Sequence, residues 1–237
     1  PVLGRQVNPA TRWAVLVAGS VILCAGCDQR TSAPPLLPQL KSEPRIVSLA
    51  PAITQILVDM GVSDLLVAVA QNDSAAPSPL PVVGNYVDLD IESLLATAPT
   101  HVLMMTGKEG APKRLTELAA AGRFALMTYP SPQSVEDVAR TLYDEAEDTD
   151  STSSTRSLGP LLGKAEQARK VKDQMLIGLD RLRALFADMS KPKVLMVIGT
   201  NPIMASGPDT VHDQLLETAG ASNAAASATV GAPTYDR

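Results

Sequence analysis

Residues 45–61 read R-I-V-S-L-A-P-A-I-T-Q-I-L-V-D-M-G, and few backbones satisfy all their local preferences at once. Residues 46–49 are a short, β-rich apolar run. Pro51 follows, a residue suited to the first turn of a helix, where its missing N–H costs nothing. Ile53, Ile56, Leu57 and Met60 then recur at helical spacing, and Gly61 stands where a left-handed cap is wanted. The segment predicts strand, sharp turn and amphipathic helix. After a Pro-rich loop, residues 84–105 read G-N-Y-V-D-L-D-I-E-S-L-L-A-T-A-P-T-H-V-L-M-M. Asp88 or Asp90 can cap a helix carrying Ile91, Leu94 and Leu95, which Pro99 closes before an apolar strand at 102–105. In open α/β sheets, strand ends facing one crevice are where ligands bind.

The alternation continues along the chain. Leu115, Leu118 and Ala119 mark a helix with Gly122 as its cap, and 124–128 reads as a strand. S-V-E-D at 134–137 is a capping box with Asp in place of Glu, opening a helix through Tyr143. Repeated β-then-α order predicts a mostly parallel sheet. Residues 147–160 (E-D-T-D-S-T-S-S-T-R-S-L-G-P) break the rhythm with almost nothing to bury, and read as a flexible surface insertion. Residues 161–189 then hold one long helical pattern through Val171, Met175, Leu179, Leu182 and Phe186. From Lys164 to Met189, at about 1.5 Å per residue, it is roughly 39 Å long, enough to bridge two lobes. Pro192 ends it, 194–198 reads as a strand, G-T-N-P at 199–202 is a loop at the strand's carboxyl end, and 210–219 is a helix capped by Gly220.

The first 26 residues are not fold. Arg5 and Arg12 precede an apolar run at 13–25 that is short for a bilayer span, as in a signal peptide. Ala25-Gly26-Cys27 resembles a bacterial lipobox, which makes Cys27 the lipidation site, although Cys24 stands where such boxes usually have Leu. The Pro-rich residues that follow, to 44, would tether a body to the membrane. Without 1–26 the chain carries 18 basic against 25 acidic residues, the wrong balance for nucleic acid. Aliphatic residues supply the core, since aromatics make up only 3%.

No catalytic constellation stands out. His101 in a predicted strand and His212 in a predicted helix lack His or Cys neighbours at metal-ligand spacing. G-K-E-G-A-P-K-R at 107–114 lacks phosphate-loop spacing, and Pro112 removes a donor. No G-x-S-x-G elbow occurs.

The S-L-A-P-A-I-T-Q-I-L…G turn and the D-L-D-I-E-S-L-L-A-T-A-P-T-H-V-L segment resemble the periplasmic binding proteins that serve ABC importers of vitamin B12, haem and iron–siderophores. That resemblance, continuing to the end of the chain, implies an α/β fold of two Rossmann-like lobes with mostly parallel sheets, joined by one long backbone helix. It divides the chain into a signal peptide (1–26), a tether (27–44), a first lobe (45–160), a connecting helix (161–190) and the start of a second lobe (191–237), with the rest of that lobe expected beyond Arg237. The implied protein is a lipid-anchored periplasmic monomer that captures a metal chelate between its lobes. It hands this to a permease and its ATPase, and does no covalent chemistry. By topology the ligand-facing candidates are Pro51, Ala52, Asn72, Asp73, Tyr86, Met105, Thr106, Asn201 and Pro202, with Thr234 added by the resemblance. Family members that hold flat macrocycles grip them with aromatic rings. Here only Tyr86 supplies one, while Asn72, Met105 and Thr234 stand where aromatics are common. Glu92 matches the surface glutamate that docks on permease arginines, though a carboxylate there also relieves the helix dipole. Cobalamin, haem and ferric siderophore are the expected ligands, and no resident cofactor or metal is implied. Two rivals remain: a chelatase-like tetrapyrrole enzyme, and a scavenger or sensor without a permease.

Overall fold

The computed structural model describes residues 43–77, 79–85, 88–145, 156–228 and 234–235. The predicted signal peptide, Cys27, nearly all of the tether, Tyr86 and most of the predicted insertion lie outside the described residues.

Strand β1 (Ile46–Ser48) is wholly buried and pairs in parallel with β2 (Leu66–Val69) and with β3 (His101–Thr106). β3 pairs in parallel with β4 (Ala125–Pro130), giving the order β2-β1-β3-β4. The predicted parallel sheet is therefore the frame of the first lobe. β2 adds to the predicted elements, because L-V-A-V is a short apolar run whose period alone does not separate strand from buried helix.

Helices α1 (Pro51–Asp59), α2 (Ile91–Ala96) and α3 (Lys113–Ala120) return the chain between strands, and α4 (Val135–Leu142) follows β4. Their ends follow local chemistry. Pro51 opens α1, and Gly61 beyond its end takes φ 69°. Asp90 caps α2 by accepting from Ser93 N at 3.0 Å, and Ser134 with Asp137 forms the complete capping box of α4. Both sheet faces are covered. Ile46, Leu103, Met127 and Tyr129 pack with Ile53 and Leu57 of α1 on one side. Val47, Val102 and Met104 pack with Leu94 and Leu115 on the other. This alternation along β3 is the period of two expected of a pleated strand.

The tail of the predicted insertion is not a free surface loop. The short helix α5 (Leu158–Leu161) buries Leu158 completely in the first core, and the Tyr129 hydroxyl donates to Arg156 O at 2.8 Å. Burial of one such leucine contributes about 1.5–3 kcal/mol, enough to pin a polar segment. α5 is separate from the long helix α6 (Ala165–Phe186) because Gly163 turns the chain at φ 65°. α6 is thus shorter at both ends than the sequence pattern, with 22 residues and a length of roughly 33 Å. It is fastened to the first lobe by Ala168, fully buried, and by the Tyr143 ring, which the Arg169 guanidinium covers at 4.5 Å and the Lys172 ammonium approaches at 5.6 Å.

Beyond α6 lie β5 (Lys193–Val194), β6 (Val197–Thr200), β7 (Ile203–Ala205), α7 (Val211–Thr218), β8 (Ser222–Asn223) and β9 (Thr234–Tyr235). β5 and β8 are parallel, whereas β6, β7 and β9 form an antiparallel sheet. The single strand expected at 194–198 is divided between β5 and β6. This lobe is thinly cored: Ala205, Leu216, Ala221 and Ala225 are buried, while Leu195, Val197 and Ile198 are exposed, as are Leu182, Leu185 and Met189 in and just after α6.

Candidate functional site

Because β1 to β4 are all parallel, their carboxyl ends share one edge of the sheet, and the loops leaving them form a single rim. The loop after β2 encloses an open cleft of about 710 Å³, lined by Val69, Ala70, Asn72, Ser74, Leu80 and Val82 among others. A smaller apolar notch of about 40 Å³ lies where Ala52, Ile56, Met105, Tyr129 and Pro132 meet, at the ends of β3 and β4. Beside it, Arg140, Asp137, Asp144 and Thr141 line a polar hollow of about 160 Å³.

The β2 loop is held by a buried hydroxyl chain. Thr54 Oγ1 donates to Asp73 Oδ2 at 2.6 Å and lies 2.8 Å from Ser48 Oγ, which itself lies 3.1 Å from Ala50 O. Ser48 and Thr54 are completely buried, and Asp73 Oδ1 accepts from Ala75 N at 3.1 Å. Both oxygens of Asp73 are therefore spent on α1 and its own loop. The result is a fixed turn that holds Asn72 at φ 61°, a left-handed conformation that asparagine tolerates better than most residues.

The sequence candidates fall into distinct places. Asn72 and Asp73 line the large cleft, with Asp73 acting on the loop's shape through its internal bonds. Ala52 and Met105 line the apolar notch. Pro51 is exposed at the head of α1, and Thr106 is half-buried at the end of β3. Asn201 and Pro202 do not sit at the end of a parallel strand. They form the exposed tip of the antiparallel β6–β7 turn, so the topological argument that selected them does not hold there. Thr234 lies in β9, paired with Met204. Tyr86 is outside the described residues.

Other lining residues escaped sequence reasoning. Leu80 and Val82 sit in a Pro-rich stretch without periodicity, and Tyr129 and Pro132 look like ordinary strand-end residues. Thr54 did carry a signal: it is a hydroxyl beside Ile53 on the face of α1 that also buries Leu57. Such a position demands a partner.

The cleft offers amide and hydroxyl groups, methylenes and proline rings, together with the Asp73 carboxylate, whose oxygens are hydrogen-bonded to Thr54 and to Ala75 N. Among the described residues no three His, Cys, Asp or Glu side chains come together as a metal site. His101 is at the amino end of β3, so at about 3.3 Å per residue it is roughly 17 Å from the rim. It is buried, with Nδ1 2.9 Å from Thr100 Oγ1, and burial pushes its imidazole below the ordinary value of 6.5. With a depressed folded pKa, the unfolded chain takes the proton first. The stability this represents is whole above about 6.5 and is lost as pH falls through the lowered folded value. Denaturant unfolding is expected to show a steeper loss for the wild type than for His101→Gln between roughly pH 7 and pH 5. Parallel pH profiles would show that burial of neutral His101 does not govern the stability.

A parallel β/α lobe, one long helix and a second α/β unit, with an open cleft at the strand ends, define a substrate-binding protein of the helix-linked two-lobed class. The chain belongs to the periplasmic binding protein family, whose pattern it matches over residues 46–236. It is 23% identical over 198 residues to the vitamin B12-binding protein of Salmonella typhimurium, a match covering 84% of this chain and 68% of that one. Among solved structures it resembles the periplasmic vitamin B12-binding protein of Vibrio cholerae, with a TM-score of 0.57, 23% identity, and coverage of 81% of this chain and 70% of that one. It also resembles the apo periplasmic haem-binding protein of Roseiflexus sp. RS-1, with a TM-score of 0.64, 24% identity, and coverage of 82% and 71%. Family membership implies a periplasmic location.

Proposed function

We propose that the protein captures a metal chelate between its lobes, with a corrinoid first, then haem, then a ferric siderophore, and delivers it to an ABC importer permease. The observation that carries this reading is the large open cleft behind β2, walled mostly by uncharged groups, with the lining carboxylate of Asp73 hydrogen-bonded to Thr54 and to Ala75 N. A bulky ligand that brings its own metal needs contact area and a few hydrogen bonds rather than protein ligands. Asn72, Met105, Ala52, Tyr86 and Thr234 would face it, and Pro51, Thr106, Asn201 and Pro202 would border it. Cys27 would carry the lipid anchor, placing a monomeric body at the membrane.

Glu92 is the proposed docking residue. It is exposed in the first turn of α2, yet the helix start is already capped by Asp90, whose carboxyl is held below the usual range by the Ser93 hydroxyl and amide. Among the described residues the Glu92 carboxylate forms no ion pair, which favours an external partner over a purely local dipole role. The chelatase-like rival is disfavoured by the distance of His101 from the rim.

The test has two arms. Cyanocobalamin, haemin and a ferric hydroxamate are titrated against the protein, with saturable one-to-one binding of one of them expected. Glu92→Arg is expected to bind that ligand as the wild type does while uptake by cells with the cognate importer falls at least about tenfold. Binding of none of the three would sink the capture reading. Undiminished uptake would favour a scavenger or sensor.

A further inference from the structure

Helix α4 starts just beyond the end of β4, at the rim, and its first amides need acceptors. Most are met locally. Ser134 Oγ accepts from Asp137 N at 3.1 Å, and Asp137 Oδ2 accepts from Gln133 N and Ser134 N at 2.9 and 3.0 Å. The other carboxylate oxygen of Asp137 is taken by Arg140. The amide of Val135, the first helical residue, is served from the other lobe: it donates to Gln214 Oε1 of α7 at 2.8 Å, across 79 positions of sequence. Val135 is buried while the lobes are together, and in that arrangement the Gln214 carboxamide is the acceptor of its amide.

Gln214 is aimed by a rigid setting. Thr210 Oγ1 caps α7 by accepting from Asp213 N at 3.2 Å. Buried Asn223 donates from Nδ2 to Asp213 Oδ1 at 2.9 Å and to Ser206 O at 3.1 Å, tying the helix to the loop before it. Among the described residues, Val135 and Gln214 are thus joined through α6 at one side and through this amide-to-carboxamide bond at the rim.

We infer that Gln214 is a positioning residue for ligand capture, a latch that sets how closely the second lobe approaches the rim of the first. This rests on the two-lobe capture reading above. Separating the lobes at this edge exchanges this bond for one to water, a net loss that favours the arrangement with the bond intact. A ligand held between the lobes draws on that arrangement.

The test follows amide hydrogen exchange at Val135 in the full chain, free and with saturating cyanocobalamin. Gln214→Leu keeps the bulk but removes the acceptor, and Val135 is expected to exchange about threefold to tenfold faster, with the amides of α3 unchanged. Gln214→Glu keeps an oxygen and adds charge that a helix start favours, so protection at least equal to the wild type is expected. Were Gln214 only a space-filler, leucine would be the better tolerated of the two. Cyanocobalamin is expected to slow Val135 exchange in the wild type and in Gln214→Glu, and not in Gln214→Leu. The inference is overturned if leucine leaves exchange unchanged, if glutamate behaves like leucine, or if bound cyanocobalamin does not alter Val135. If cyanocobalamin does not bind at all, the corrinoid choice fails instead, haemin or the ferric hydroxamate takes its place in the exchange experiment, and the ligand-free order of the variants still decides whether Gln214 is the latch.

Discussion

Gly84→Ala is expected to lower the free energy of unfolding by about 3 kcal/mol or more, the sum of a left-handed backbone penalty and a steric one. Gly84 has φ 88°, and a Cβ added there would stand 2.2 Å from the backbone oxygen of Asp88. That oxygen cannot move alone, because it accepts from Asn85 N at 3.0 Å, while Asp88 N donates to Asn85 Oδ1 at 2.9 Å. Asp90 N is bound to Val83 O, and Val83 is completely buried. The chain must therefore break the turn that joins the β2 side of the cleft to α2. The same turn carries Asp90, the cap of the helix bearing Glu92. Urea unfolding gives the stability loss, and circular dichroism at low urea should still show the parallel lobe. A variant as stable as the wild type would mean that the close approach of Gly84 to the Asp88 backbone does not constrain the fold.

What was legible in the sequence is chemistry closed within a few residues. The Pro51 helix start, the Asp90 cap, the Ser134–Asp137 box and the left-handed glycines 61 and 220 each need only their neighbours, and each is found in place. The β-then-α order likewise yields the parallel first-lobe sheet, since a crossover through a helix is the ordinary way to join parallel strands. What stayed hidden depends on distant partners. The burial of Leu158 within a Ser/Thr-rich stretch is decided by α6, which no local pattern reports. The turn at Asn201–Pro202 folds back on β6 because β7 pairs with it antiparallel, whereas a strand followed by a loop reads the same in either topology. Strand-end reasoning named Ala52, Asn72, Asp73 and Met105, which line the cleft and the notch, but it did not show that Asp73 is bound to Thr54 beneath the loop. The Gln214–Val135 bond is a tertiary event from the outset.

The connecting helix should be the least forgiving part of the molecule, because each of its ends packs against a glycine. At its start, a Cβ on Gly159 would meet Ala168 Cβ at 2.5 Å and Leu142 O at 3.2 Å. None of these is the far end of a flexible chain, and Ala168 is fully buried, so α5 and α6 would have to part. Gly159→Ala is expected to cost about 2–4 kcal/mol, at the upper end for overpacking. At the other end, Gly220 has φ 74° and abuts Phe186, whose Cβ would lie 2.6 Å from an added methyl. Gly220→Ala combines a left-handed alanine with that clash and is expected to cost a similar amount, about 2–4 kcal/mol. The two losses differ in place. Gly159→Ala should loosen the cluster around Leu142, Leu158 and Leu162, and so speed exchange throughout α4. Gly220→Ala should free α7 from α6 while the amides of β1, β3 and β4 keep their protection. If both variants loosened the same amides, the helix would not be joining two separately packed bodies, and the geometry of capture between lobes would need another source of rigidity.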